Sequence, residues 1–259
     1  MGSTWTIKLF LGLLTAWALL RESECDGLPA ERQSPIDIET SETKCLKLSL
    51  IYIPKKTCED VHLVNEGGHT AQLELDKCDY TILVGLLGAY SVLQAHFHWG
   101  EDSTRGSEHT IDGQRYPMEM HIVAKKKFGT STCAEIAVLG FFFEISGTDN
   151  AAWNDIITGL SLIKMPDEKT TINNFNLQDL LPSHKSEFYR YFGSLTTPPY
   201  TQFVKWTVFK ETIKISESQI AQFRTLLSEH GDNIVDNFRE VQPLNGRTVN
   251  KNCYMPYEQ

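Results

Sequence analysis

A mainly β, single-domain fold is what this chain predicts, on three observations. Short, turn-bounded runs rich in β-branched and aromatic residues crowd positions 46–145. Helical patterning is confined to two short segments, and no repeat, low-complexity tract or long linker divides the 259 residues. With 41% hydrophobic content, a chain of this length can bury one substantial core.

Taken in order, the first 25 residues stand apart from the fold. The apolar stretch 9–20 after Lys8 is shorter than the about 20 residues a bilayer span needs, and suits the core of a secretory signal peptide, with cleavage expected after Cys25. The domain is then expected to run from 26 to 259. Strands are predicted at 46–53, 61–64, 71–75, 80–84, 90–99, 118–125, 135–145 and 200–209. Helices are predicted at 150–163 and 216–229. In the second, Ser216 and Gln219 form a capping box, Ile220, Phe223 and Leu227 share a face, and Gly231 provides the stop.

Composition narrows the function. Net charge is -9, and no basic cluster exceeds Lys125-Lys126-Lys127, which Phe128-Gly129-Thr130-Ser131 continues as a turn. Nucleic acid is therefore not an expected partner. No hydrophobic tail follows Lys251, so a secreted protein without a membrane anchor is expected; a monomer is expected as well. No N-glycosylation sequon occurs. Six cysteines in an oxidising compartment invite disulfides. Cys58 and Cys78 are equidistant from Gly68, at the tip of a hairpin whose arms are 61–64 and 71–75, and are expected to pair. Cys45, Cys133 and Cys253 are left without assignment, and loss of Cys25 would leave at least one thiol unpaired.

Three histidines carry the candidate chemistry. Side chains alternate along a strand, so His96 and His98 share one face, about 6 to 7 Å apart. His121, in Glu119-Met120-His121, can add a third nitrogen from a neighbouring strand. Three protein ligands leave one position of a tetrahedral zinc open, which is the catalytic pattern. A His-x-His pair alone is weak evidence, but Gln94 and Glu119 share the parity of the histidines and can hold the second nitrogens of ligating imidazoles. A buried Glu119 is costly alone and explained beside such a histidine.

Six motifs together resemble the α-class carbonic anhydrases: Gln33-Ser34-Pro35-Ile36-Asp37-Ile38, Gln94-Ala95-His96-Phe97-His98-Trp99-Gly100, Gly106-Ser107-Glu108-His109-Thr110, Glu119-Met120-His121, Gly193-Ser194-Leu195-Thr196-Thr197-Pro198-Pro199 and Gln242-Pro243-Leu244-Asn245-Gly246-Arg247. The match covers roughly residues 31–255. It implies a large, twisted, mostly antiparallel central sheet with a few short peripheral helices and Zn2+ at the base of a cleft. It also implies reversible hydration of carbon dioxide to bicarbonate and a proton by a zinc-bound hydroxide. Three neutral imidazoles leave the ion's charge uncancelled, as that acidity requires.

By the same resemblance, Thr196 bridges the nucleophile and Glu108, and His109 is a buried hydrogen-bonding residue rather than a ligand. Val123, Val138, Leu195, Val204 and Trp206 form the apolar wall for the gas, with Gln72 and Thr197 also lining the substrate pocket. His69 is the proton shuttle, preceded by one extra residue in Asn65-Glu66-Gly67-Gly68. His62, His184 and His230 match no catalytic motif. Only residues 26–32 separate the leader from the Gln-Ser-Pro motif, where the family usually carries an aromatic, glycine-rich segment, so apolar surface is expected to lie uncovered beside the cleft. Tyr200 stands where secreted members often place a disulfide cysteine. A noncatalytic relative would typically have lost a zinc histidine, and all three are kept with Glu108 and Thr196. An esterase using the same hydroxide on a carbonyl is the other chemistry such a site allows.

Overall fold

β-Branched and aromatic residues favour a pleated, packed surface, and most of the expected runs do become strands. The computed structural model describes residues 31–83, 89–127 and 135–253. In chain order the strands are β1 (Asp37–Ile38), β2 (Lys44–Leu46), β3 (Val61–Glu66), β4 (Thr70–Glu74), β5 (Thr81–Leu83), β6 (Ala89–Trp99), β7 (Thr110–Ile111), β8 (Met118–Lys126), β9 (Ile136–Ser146), β10 (Lys169–Ile172), β11 (Phe188–Gly193), β12 (Val204–Ser216) and β13 (Asn250–Asn252). Helix α1 spans Asn154–Leu160 and α2 spans Glu217–Phe223. The expected leader and Cys133 lie outside the described residues.

Eleven strands form one sheet in the order β10-β3-β4-β6-β8-β9-β12-β11-β13-β2, with β5 beside β6. Most pairs are antiparallel; β9 with β12 and β13 with β2 are parallel. One face carries the large core of Phe97, Trp99, Met120, Phe141, Trp153 and Phe223, over which α1 and α2 lie. The other carries a smaller apolar cluster that includes Val138, Val204 and Trp206. Strands β6 and β8, at the middle of the sheet, hold the three histidines.

Several expectations need correction. Of 46–53, only Leu46 belongs to a named strand, as the last residue of β2, and a single bridge joins Tyr52 to Leu83. Ile51 and Ile53 still bury while Tyr52 is exposed, so the alternation is satisfied by packing onto the core without a ladder partner. The strand expected from 200 begins at Val204, because Tyr200 turns left-handed (φ 60°) and its N–H closes a turn onto the Thr197 carbonyl. The helix expected over 216–229 has its capping box but ends at Phe223. Leu227 then donates to the Lys164 carbonyl, and Gly231 serves a later turn closed onto Ser228. Strands β1, β7, β10, β11 and β13 were not anticipated; β11 is aromatic-rich and largely buried on both faces, so it shows no alternation.

The β3–β4 register pairs His62 with Glu74 and Glu66 with Thr70, which continues to Cys58 opposite Cys78, and these two are bonded. Cys45 is bonded to Cys253, which sequence spacing left unassigned, through the parallel β13–β2 pairing that sets Lys251 beside Cys45. The bridges close sequence separations of 20 and 208 residues, which chain entropy values at roughly 3 and roughly 5 kcal/mol. Cys58→Ser with Cys78→Ser is expected to lower the melting temperature by roughly 10 °C in a calorimetric scan. An unchanged melting temperature would show that the bridge constrains nothing the sheet does not already fix.

Candidate metal centre

Antiparallel pairing of β6 with β8 sets His96 opposite His121 and His98 opposite Glu119. With Ala95, Phe97 and Trp99 committed to the large core, the even positions Gln94, His96 and His98 face the other side. On β9, Gly140 lies opposite His121, and a Cβ there would come within 2.9 Å of Glu119 Oε1. That position is held open for the carboxylate.

Each imidazole is oriented by an acceptor on its outer nitrogen. His96 Nδ1 meets Gln94 Oε1 at 2.9 Å, His98 Nδ1 the Asn237 carbonyl at 2.9 Å and His121 Nε2 Glu119 Oε1 at 2.8 Å. Each of those nitrogens must therefore carry the proton, which leaves the lone pairs on His96 Nε2, His98 Nε2 and His121 Nδ1. The three rings offer ligand nitrogens within 4.8 Å of one another. His98 Nε2 and His121 Nδ1 are 3.1 Å apart and both buried. Two lone pairs at that separation repel, so this contact is not a hydrogen bond between the assigned tautomers. Burial is the leading cause that holds His96 and His98 below the ordinary imidazole range, which keeps them neutral.

Glu108 sharpens the point. Its Oε1 accepts from the Arg239 backbone N–H at 2.8 Å, while its Oε2 is buried with no hydrogen-bond partner, 3.5 Å from His98 Nε2 and 3.8 Å from His121 Nδ1. Acceptor atoms thus converge on one point with no proton between them, an arrangement that a cation stabilises. Three neutral nitrogens around a buried point suit zinc. Thr196 is buried, but the expected hydrogen bond from its hydroxyl to Glu108 is not formed; Glu108 Oε2 is left open instead.

Glu119 is fully buried and accepts four hydrogen bonds: backbone N–H of Glu108 and His109 on Oε2, and His109 Nδ1 and His121 Nε2 on Oε1. Burial raises its pKa, but His109 and His121 overcome this and hold it well below the usual carboxylate range. His109, Glu119 and His121 also cluster as a possible ligand group. His109 is nevertheless occupied, with Nδ1 on Glu119 and Nε2 2.7 Å from the Tyr191 hydroxyl, as a hydrogen-bonding residue should be.

Val138, Val204 and Trp206 pack in one cluster with the half-buried Val123 and Leu195 at its edge, and the Trp206 ring centroid lies 4.8 Å from that of His121. Gln72 pairs across the sheet with His96 and donates to Glu66 Oε2 at 3.5 Å. Thr197 is exposed at the turn before β12. His69 is exposed in the β3–β4 turn, where Gly67 and Gly68, both at positive φ, take up the additional residue. His62 is engaged by Glu74 at 2.9 Å, while His184 and His230 are exposed.

Asn237 was not foreseen. Besides accepting from His98, it accepts the Trp99 N–H at 2.7 Å and donates to the carbonyls of His69 and Phe97. It lies in an irregular segment, where no periodicity points to it.

Comparison with known proteins agrees with this geometry. The family described as eukaryotic-type carbonic anhydrase matches residues 14–253. The chain is 40% identical to carbonic anhydrase 7 of Mus musculus over 237 residues, 85% of this chain and 88% of that protein. Carbonic anhydrase 4 of Oryctolagus cuniculus is 38% identical over 232 residues, 85% of this chain and 75% of that protein. Carbonic anhydrase 1 of Mus musculus is 37% identical over 234 residues, covering 84% and 88%.

Proposed function

Because the chain belongs to the eukaryotic-type carbonic anhydrase family, we propose that His96, His98 and His121 hold the zinc at which it works. The protein is a lyase that catalyses reversible hydration of carbon dioxide to bicarbonate and a proton. The observation that supports the metal assignment best is the 3.1 Å approach of two nitrogens that carry lone pairs in the tautomers set by their outer acceptors, with the unpartnered Glu108 Oε2 beside them. Zinc, when bound there, supplies the Lewis acidity that brings the pKa of water to about 7, carbonic anhydrase being the standard instance.

The chain's own residues do the rest. Gln94, Glu119 and the Asn237 carbonyl hold the imidazoles in the ligating tautomer. Glu108 Oε2, buried without a partner, is the acceptor we assign to the Thr196 hydroxyl once the site is loaded, and the Thr196 oxygen would then accept from a proton-bearing nucleophile and orient it. Val123, Val138, Leu195, Val204 and Trp206 offer carbon dioxide an apolar surface. Gln72 and Thr197 flank the approach. Stopped-flow hydration with and without a chelator, beside metal analysis of the same sample, tests the proposal. A rate untouched by complete removal of zinc would overturn it.

His69 relays the released proton from the turn. His69→Ala is expected to lower kcat roughly tenfold in weak buffer while leaving kcat/KM near the parent value. Added imidazole should restore turnover, and a variant with full kcat in weak buffer would remove His69 from the path.

Two disulfides fit an oxidising compartment, and among the described residues no helix is long and apolar enough to cross a membrane. Secretion is the reading that the disulfides support; a monomer, with the leader 1–25 removed from a domain at 26–259, is proposed with it. N-terminal sequencing of the exported product should begin at Asp26.

A further inference from the structure

Antiparallel pairing of β11 with β12 sets Arg190 opposite Thr207 and Phe192 opposite Lys205. Trp206, between Lys205 and Thr207, lies against His121, so Arg190, Lys205, Phe188 and Phe192 face the other side of the sheet. Arg190 and Lys205 are diagonal neighbours there, about 7 to 8 Å apart in strand geometry. Both are buried, at 3% and 6% exposure. Arg190 Nε donates to Thr207 Oγ1 at 3.2 Å, and the guanidinium lies 4.9 Å from the Phe188 ring centroid. Its two terminal nitrogens, Nη1 and Nη2, are buried with no hydrogen-bond partner. The Lys205 ammonium is 6.0 Å from the ring centroids of Tyr90 and Phe192.

A buried guanidinium with two unfilled donors is costly unless an acceptor arrives. Burial lowers Arg190 to about 10, with only Tyr90 opposing that, and burial with Arg190 and Lys126 beside it lowers Lys205 to about 8. Positive charges thus crowd together here, and half-buried Lys126 extends them towards solvent. With Nε taken by Thr207, the free edge of the guanidinium presents two parallel donors, which match two oxygens of a planar group.

We infer that Arg190 and Lys205 form a binding site for a small, planar, singly charged oxyanion of the bicarbonate and carboxylate class, on the face of the sheet opposite the histidines. The naming of bicarbonate as the ligand in use rests on the hydratase reading above, since bicarbonate is then the product; the recognition of the class rests on Arg190 alone.

The test is the melting temperature of the zinc-loaded full chain in sodium bicarbonate, sodium acetate and sodium chloride at matched ionic strength, for the parent, Arg190→Met and Arg190→Lys. Any anion effect at the histidines is common to all three proteins and cancels in the comparison, while the hydration rate of each reports separately on the zinc site. The parent is expected to gain about 4 °C in bicarbonate or acetate over chloride at an anion concentration roughly ten times Kd. Arg190→Met should lose that gain, and Arg190→Lys, which keeps charge without the fork, should keep less than half. A gain in bicarbonate without acetate narrows the site to the product and supports it. Equal responses to chloride, or an undiminished gain in both variants, would overturn the inference even in a fully active enzyme.

Discussion

His121→Ala is expected to remove nearly all bound zinc and to slow carbon dioxide hydration by at least about a thousandfold. The change takes away one of three convergent nitrogens and leaves His96 and His98, adjacent on one strand, with too few ligands for a stable site. It also abolishes the 3.1 Å lone-pair contact with His98, so the metal-free chain loses a repulsion along with its packing and should still fold. The informative control is His109→Ala, because His109 belongs to the alternative donor group with Glu119 and His121. That variant should keep stoichiometric zinc, since the His109 nitrogens serve Glu119 and Tyr191. Metal analysis and stopped-flow rates on both proteins decide. Zinc lost on removal of His109 as completely as on removal of His121 would place the ion in the group of His109, Glu119 and His121 instead.

The reason the triad could be read from the chain is local. His96 and His98 fall on one face by strand parity, and Gln94 and Glu119 share that parity, so the ligands and two of their supports lie within two short segments of sequence. The third support does not. Asn237 reaches His98 from an irregular stretch, and only the folded chain brings it there. Cys58 and Cys78 were legible because they flank one hairpin symmetrically, whereas Cys45 and Cys253 meet through strands at opposite ends of the chain. Strand β11 was missed because Phe188-Tyr189-Arg190-Tyr191 is buried throughout and gives no alternation to read. The helix after Ser216 was overextended for the opposite reason. Its apolar spacing continues past Phe223, but the tertiary bond from Leu227 to Lys164 wins over helical continuation.

Glu119→Gln is expected to weaken zinc binding by about 10- to 100-fold while leaving all three ligands in place. The carboxylate accepts on both oxygens, two backbone N–H groups on one and two imidazoles on the other. An amide has only one acceptor oxygen. With that oxygen kept on the backbone N–H groups of Glu108 and His109, the NH2 group faces the His121 and His109 ring nitrogens, which must then give up their protons there. His121 would move its proton to Nδ1, the nitrogen 3.1 Å from His98 Nε2. The repulsive pair then becomes a hydrogen bond, and the metal-free site is satisfied by itself. Zinc must break that bond and displace the proton before it can bind, so affinity falls more than fold stability does. Chelator competition gives the affinity, and 15N chemical shifts of the His121 ring in the metal-free protein report which nitrogen carries the proton. The parent should show it on Nε2 and Glu119→Gln on Nδ1; the same tautomer and the same zinc affinity in both proteins would mean that Glu119 supports the fold alone and does not set the ligating form of His121.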